Sequence, residues 1–237
     1  MPDSRHPRTL RYPVLYIGGL PCYALHPWAD RIRRPWWLSA LSIPRRRPPG
    51  LFPVRTELIH HKTRRARWPE TIKMWPWIIA WGDWDRIETM PASWEHDHIV
   101  AVLEGADYRQ LPIYDELCQE IRQKGRTHLK GLESAADIDA YFSNIPVLAD
   151  SIRQHGISPG RTHGAKEIQV RIGRDGTLLK CGEGTHRLAI ARAVGIAEVP
   201  VQVELIHAAW AKRVIEGYDL PLTAALRQWF AAGCPRL

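Results

Sequence analysis

The sequence predicts an α+β (α/β) protein: a small mixed sheet with packed helices, preceded by a basic extension rich in proline and tryptophan. Three observations carry that expectation. Ile168, Val170 and Ile172 alternate with polar residues, "GRDG" makes a tight turn, and Leu178 and Leu179 begin a returning strand. A helix over 187–194 buries Leu188, Ala191 and Val194, with Gly195 at the position where a left-handed residue ends a helix. Val199, Val201, Val203 and Leu205 then alternate as a further strand.

The remaining elements follow in order. Residues 1–70 hold many prolines and no sustained periodicity, which predicts irregular structure with short helices. "WPWIIAWGDWD" at 75–85 reads as a short buried strand, Ile78 to Trp81, opening into a turn at Gly82. A helix is expected from about Ile113, with Leu117 and Ile121 on one face and Gly125 as its stop. Residues 134–156 read as two helical pieces. The first is capped by Ser134 with Asp137 three residues on, and the second runs through Val147, Leu148, Ser151 and Ile152 to Gly156. Residues 208–230 are expected to be helical, interrupted at "GYDLP". The organisation is thus an extension over 1–74, a domain over 75–207 with a helical insertion at about 88–140, and a helical tail over 208–237.

Charge is distributed unevenly. Of the net +8, residues 1–75 hold 15 Lys/Arg against 4 Asp/Glu, a net of +11, and the remainder is acidic. "RIRRPWW", "IPRRRPP" and "HHKTRRARW" mix arginine with tryptophan, which suits an arm that tracks nucleic-acid phosphates and stacks on bases. A solvated or packed extension accounts for the same composition. No apolar run reaches membrane-spanning length, so no membrane partner is expected. "VLYIGGLPCYAL" has the outline of a signal peptide, but it contains Pro21 and lacks a small-residue cleavage site. Cys22, Cys118, Cys181 and Cys234 are widely spaced, forming neither a zinc pattern nor a disulfide framework. A reducing cytoplasm is the expected location.

The stretch "CGEGTHRL" carries the most chemistry. A helix start leaves backbone N–H groups without intrahelical partners, and its dipole favours anions. Gly182 and Gly184 would let a phosphate approach the backbone, and Thr185 offers a hydroxyl. His186 offers a donor or proton shuttle, and Arg187 a fork matched to phosphate oxygens. A plainer reading makes Thr185 a helix cap and pairs Arg187 with an acid such as Glu183. The spacing is neither a Walker A loop nor a dinucleotide fingerprint.

"GEGTHRLAIARAVGIAEVPVQV", together with "LADSIRQHGI" at Leu148–Ile157, resembles the ParB/sulfiredoxin superfamily over about residues 140–207. ParB members carry a "G-E-R-R-x-R" loop, a helix and "VPV-x-V"; sulfiredoxins carry "G-G-C-H-R", which falls on Glu183 to Arg187. The resemblance implies a nucleotide bound through its phosphates at Gly182, Gly184, Thr185, His186 and Arg187: ATP, ADP or CTP, with Mg²⁺. A free-serine kinase of the superfamily implies that the fold can host phosphoryl transfer. Thr185 stands where sulfiredoxins have their reactive cysteine, which argues against thiol redox chemistry. The 30 residues after His207 are too few for the helix-turn-helix of partition proteins.

Phosphoryl transfer also needs a base and charge neutralisation. Glu183 and His186 lie in the loop, and Asp83 and Asp85 of "GDWDR" share one face of an extended segment, where they could hold Mg²⁺ or act as base. Otherwise Asp83 caps a turn, with Trp81 and Trp84 in the core. His207, at a strand end, could face the same cleft. His96 and His98 lack a third ligand at zinc spacing, and His60 and His61 are assigned no metal. The expected function is nucleotide binding, with hydrolysis or phosphoryl transfer to a small substrate. The alternative is a nucleic-acid-binding accessory protein or nuclease.

Overall fold

The computed structural model describes residues 16–17, 20–21, 43, 50–59, 61–62, 72, 78–86, 90–91, 94–157 and 167–236. In chain order its strands are β1 (Tyr16–Ile17), β2 (Leu20–Pro21), β3 (Leu51–Arg55), β4 (His61–Lys62), β5 (Ile79–Ala80) and β6 (Met90–Pro91), then β7 (Ile168–Ile172), β8 (Leu178–Lys180) and β9 (Glu198–His207). The helices are α1 (Trp94–Leu103), α2 (Pro112–Lys124), α3 (Ala135–His155), α4 (Thr185–Ala193), α5 (Ala208–Tyr218) and α6 (Leu222–Ala231). The protein is α+β with a mixed sheet.

Alternation builds the sheet. Val199, Val201 and Val203 of β9 and Ile168, Val170 and Ile172 of β7 bury their side chains in one core, beneath the helices. The seven strands run in the order β3-β9-β7-β8-β4-β6, with β5 alongside the C-terminal end of β9. β9 and β7 are parallel, β7 and β8 form an antiparallel hairpin, and β5 runs parallel to β9 at Ile206 and His207. Pairing slips between Val170 and Arg171, so Val203 and Leu205 take successive partners and Glu204 is the extra residue of a bulge. The bulge turns Leu205 toward a second core with Ile72, Ala80, Trp84, Leu179 and Cys181, while Ile206 stays in the first.

Helix boundaries follow their sequence signals. Gly125 ends α2 in the left-handed region (φ 73°), and Gly195 follows α4 at φ 75°. A Ser134–Asp137 capping box starts α3. That helix runs unbroken through Pro146, so the two expected pieces are one. Ile138, Phe142, Ile145, Ala149 and Ile152 form a continuous buried stripe, and packing along it outweighs the proline penalty of about 3 kcal/mol. Asp219 (φ 52°) separates α5 from α6, where "GYDLP" predicted the break.

The expected boundary at 74/75 falls inside the sheet. β3 pairs with β9 over five residues, from Leu51↔Gln202 to Arg55↔Glu198, and Phe52 stacks on Phe230 of α6 at 4.5 Å. Most of the expected irregular extension and its arginine runs lies outside the described residues. No helix among the described residues is long and apolar enough to cross a membrane.

Candidate functional site

β8 delivers the chain to the glycine loop, and α4 takes it away. Gly184 is the N-cap, in the left-handed region at φ 83°, and no side chain caps the helix. Thr185 is therefore the first helical residue, not the cap. A Cβ on Gly184 would lie 2.6 Å from the Cα of Ile168, so glycine is demanded there by the approach of the loop to β7. Gly182 (φ 49°) lies against Gln169, whose side-chain oxygen accepts from the Glu183 N–H at 3.1 Å. The Gln169 N–H in turn donates to the Glu183 carbonyl at 3.2 Å. The two glycines are thus fixed first by packing on β7.

Lys180 organises the other side of the loop. Its side chain is 1% exposed, and its ammonium donates to the carbonyls of Cys181 (2.6 Å), Gly182 (3.3 Å) and Glu183 (2.7 Å). Sequence reasoning missed this residue. The signal was the alternation in "LLK", which puts Lys180 on the same face as the core residue Leu178, immediately before the loop.

Arg187 is largely buried, and its guanidinium lies 3.6 Å from Glu167 at the start of β7. Its acidic partner is thus Glu167, not the neighbouring Glu183, which is exposed on the loop. His186 meets the edge of Tyr141 of α3 at 5.6 Å. The Tyr141 hydroxyl is 2.9 Å from Nε2 of His98, and the Lys130 ammonium sits 5.4 Å over the Tyr141 ring. Lys130, an exposed residue, is held at φ 56°, and partial desolvation of its ammonium lowers its pKa. His98, from the "HDH" stretch, is thus part of a buried ring cluster shared by α1, α3 and α4.

Asp83 and Asp85 lie elsewhere. Arg174, in the turn after β7, donates to Asp83 at 2.6 Å and to both oxygens of Asp85 through its side chain and its N–H. The Asp83 carboxyl is held below the usual range by Arg174. Burial would raise the Asp85 carboxyl, but hydrogen bonds from Arg174 bring it below its ordinary value. His207 donates from Nε2 to the Gly82 carbonyl (2.9 Å) and accepts the Ala209 N–H at Nδ1, with Asp85 3.9 Å away. Trp84 is core, whereas Trp81 is 47% exposed. A shallow cleft of about 270 Å³ beside them is lined by Asp85, Arg86, Gly173, Arg174, Asp175, Thr177 and Leu179.

This ion cluster and the glycine loop sit at opposite ends of the β7–β8 hairpin. Gly184 packs on Ile168 at the start of β7, whereas Arg174 follows its end. Five strand residues span roughly 15 Å. Asp83, Asp85 and His207 therefore cannot serve a phosphate bound at 182–187, and the cation between the two aspartates is Arg174, where Mg²⁺ was expected. Among the described residues, no group of three or more His, Cys, Asp or Glu side chains is placed to hold a metal ion. Cys181 is buried and donates to Glu204 at 3.0 Å, and burial pushes its thiol up to about 12. It stays protonated near neutral pH and is no redox nucleophile.

Compared with known proteins, the chain matches no family model, no curated protein and no solved structure.

Proposed function

We propose that the chain is a ParB/sulfiredoxin-like protein that binds the phosphates of a nucleotide, ATP, ADP or CTP with Mg²⁺, where the 181–184 loop meets α4. The observation that carries this is the uncapped start of α4 on left-handed Gly184, in a loop whose carbonyls are drawn to Lys180. An anion meets a positive helix end there, with loop carbonyl oxygens turned to another partner. Arg187 binds the phosphate by exchanging Glu167 for it, and His186 flanks the helix start. The bound nucleotide is hydrolysed, or passes its terminal phosphoryl group to a small substrate, with Glu183 at the exposed rim of the loop as base. Cys118, Cys181 and Cys234 are free thiols, which fits work in the reducing cytoplasm.

Calorimetric titration with ATP, ADP and CTP in the presence of Mg²⁺ tests this. Arg187→Ala should weaken the nucleotide that binds by about tenfold or more, the scale of a charge-assisted hydrogen bond. Glu167→Gln, which releases Arg187 from its acid, should tighten it. Equal affinities in the wild type and both variants, or no binding in the wild type, would remove the phosphate assignment.

A further inference from the structure

Lys180 lies at an inward-facing position of β8, on the same face as the core residue Leu178. An ammonium has three donors, and the carbonyls of three consecutive residues, Cys181, Gly182 and Glu183, converge on it. A chain can bring three successive carbonyl oxygens to one point only by coiling around it, and the left-handed φ of 49° at Gly182 supplies that reversal.

The direction of the peptide planes then follows. In a trans peptide the N–H points opposite to the C=O of the preceding residue. With the carbonyls of 181, 182 and 183 turned to the ammonium, the N–H groups of Gly182, Glu183 and Gly184 point away from it. That of Glu183 reaches the Gln169 side-chain oxygen, in agreement with this polarity.

We infer that Lys180 is the positioning residue of the loop: its ammonium fixes the peptide planes with carbonyls inward and N–H groups outward. The inference rests on the reading of this loop as a phosphate site, because it explains how a strand–helix connection presents donors to an anion. Lys180 itself touches no ligand; it acts through the backbone it holds. Without it, the carbonyls of Cys181 and Gly182 lose this donor, that of Glu183 keeps the Gln169 N–H, and the planes of 181 and 182 are free to turn.

Amide hydrogen exchange and pyrophosphate titration of wild type, Lys180→Met and Lys180→Arg test this. In the methionine variant the Glu183 amide, which is bonded to Gln169, should exchange about tenfold faster or more, while the amides of α3 and β9 keep their protection. Pyrophosphate affinity should fall by about tenfold or more, and the arginine variant, which keeps a cation with donors, should recover part of both effects. Loop exchange unchanged in Lys180→Met, or identical behaviour of the two variants, would overturn the inference. Should Lys180→Met fail to fold, ¹⁵N spectra of the wild type decide. Slowly exchanging Lys180 ammonium protons coupled to the carbonyl carbons of 181–183 are expected, and their absence counts against the role. A wild type that takes up no pyrophosphate would sink the phosphate assignment while leaving the exchange result to judge Lys180 alone.

Discussion

Asp85 joins two loops that lie far apart in sequence. Its carboxylate receives the backbone and side chain of Arg174 and so fastens the turn after β7 to the loop after β5. Its side chain is 4% exposed, so losing the charge leaves Arg174 with only the exposed Asp83 as its acid. Asp85→Asn should cost about 3 kcal/mol at pH 7 by urea denaturation, as for a broken buried pair. The folded-state pKa is lowered, so the carboxylate stabilises the fold above the unfolded value of about 3.9. That contribution is lost as pH falls further, through the folded value. The gap between wild type and variant should hold from pH 7 to 5 and shrink below about pH 4; a gap constant down to pH 3 would contradict the ion-pair account.

At the scale of the element, α3 pits local chemistry against packing. Ser134 and Asp137 cap it reciprocally: Ser134 Oγ accepts the Asp137 N–H at 3.1 Å, and Asp137 accepts the Ser134 N–H at 2.9 Å. Ser134→Ala should lower stability by about 1 kcal/mol in thermal or urea unfolding, with the loss confined to the first turn in amide exchange. Pro146 argues locally for a break, and a sequence window weighs it heavily. The apolar stripe before and after it faces one core, however, so a single helix buries more than two offset ones. β9 shows the converse. Its alternation is plain in the sequence, but the bulge at Glu204 arises from its pairing with β7 and sets Glu204 beside Arg171 and Cys181.

For the whole molecule, the placement of β3 has the widest consequence. It covers one side of β9 with a full strand and brings Phe52 onto Phe230, so the N-terminal third contributes to the main core. A chain beginning at residue 75 should lose cooperative unfolding or aggregate, because it bares the edge of β9 and the apolar surface beneath it. Circular dichroism and light scattering would show this, and a monomeric truncated chain with a sharp transition would refute it. A test of nucleic-acid binding by the basic segments is therefore cleaner with arginine substitutions at Arg31, Arg33 and Arg34 than with deletion of residues 1–70.

By itself the sequence determined the hairpin from Ile168, the helix after the glycine loop, the strand from Val199, and the stops at Gly125 and Gly195. Each depends on periodicity or on a residue suited to one backbone conformation, and such signals are contained within a few neighbours. Only the tertiary structure decided that Arg187 faces Glu167, that Lys180 turns inward to the loop carbonyls, and that Asp83 and Asp85 belong to Arg174 at the far end of the hairpin. Those partners are chosen by which strands pair and in what register. A short motif does not encode that choice, because β3, β5, β7 and β9 come from distant parts of the chain.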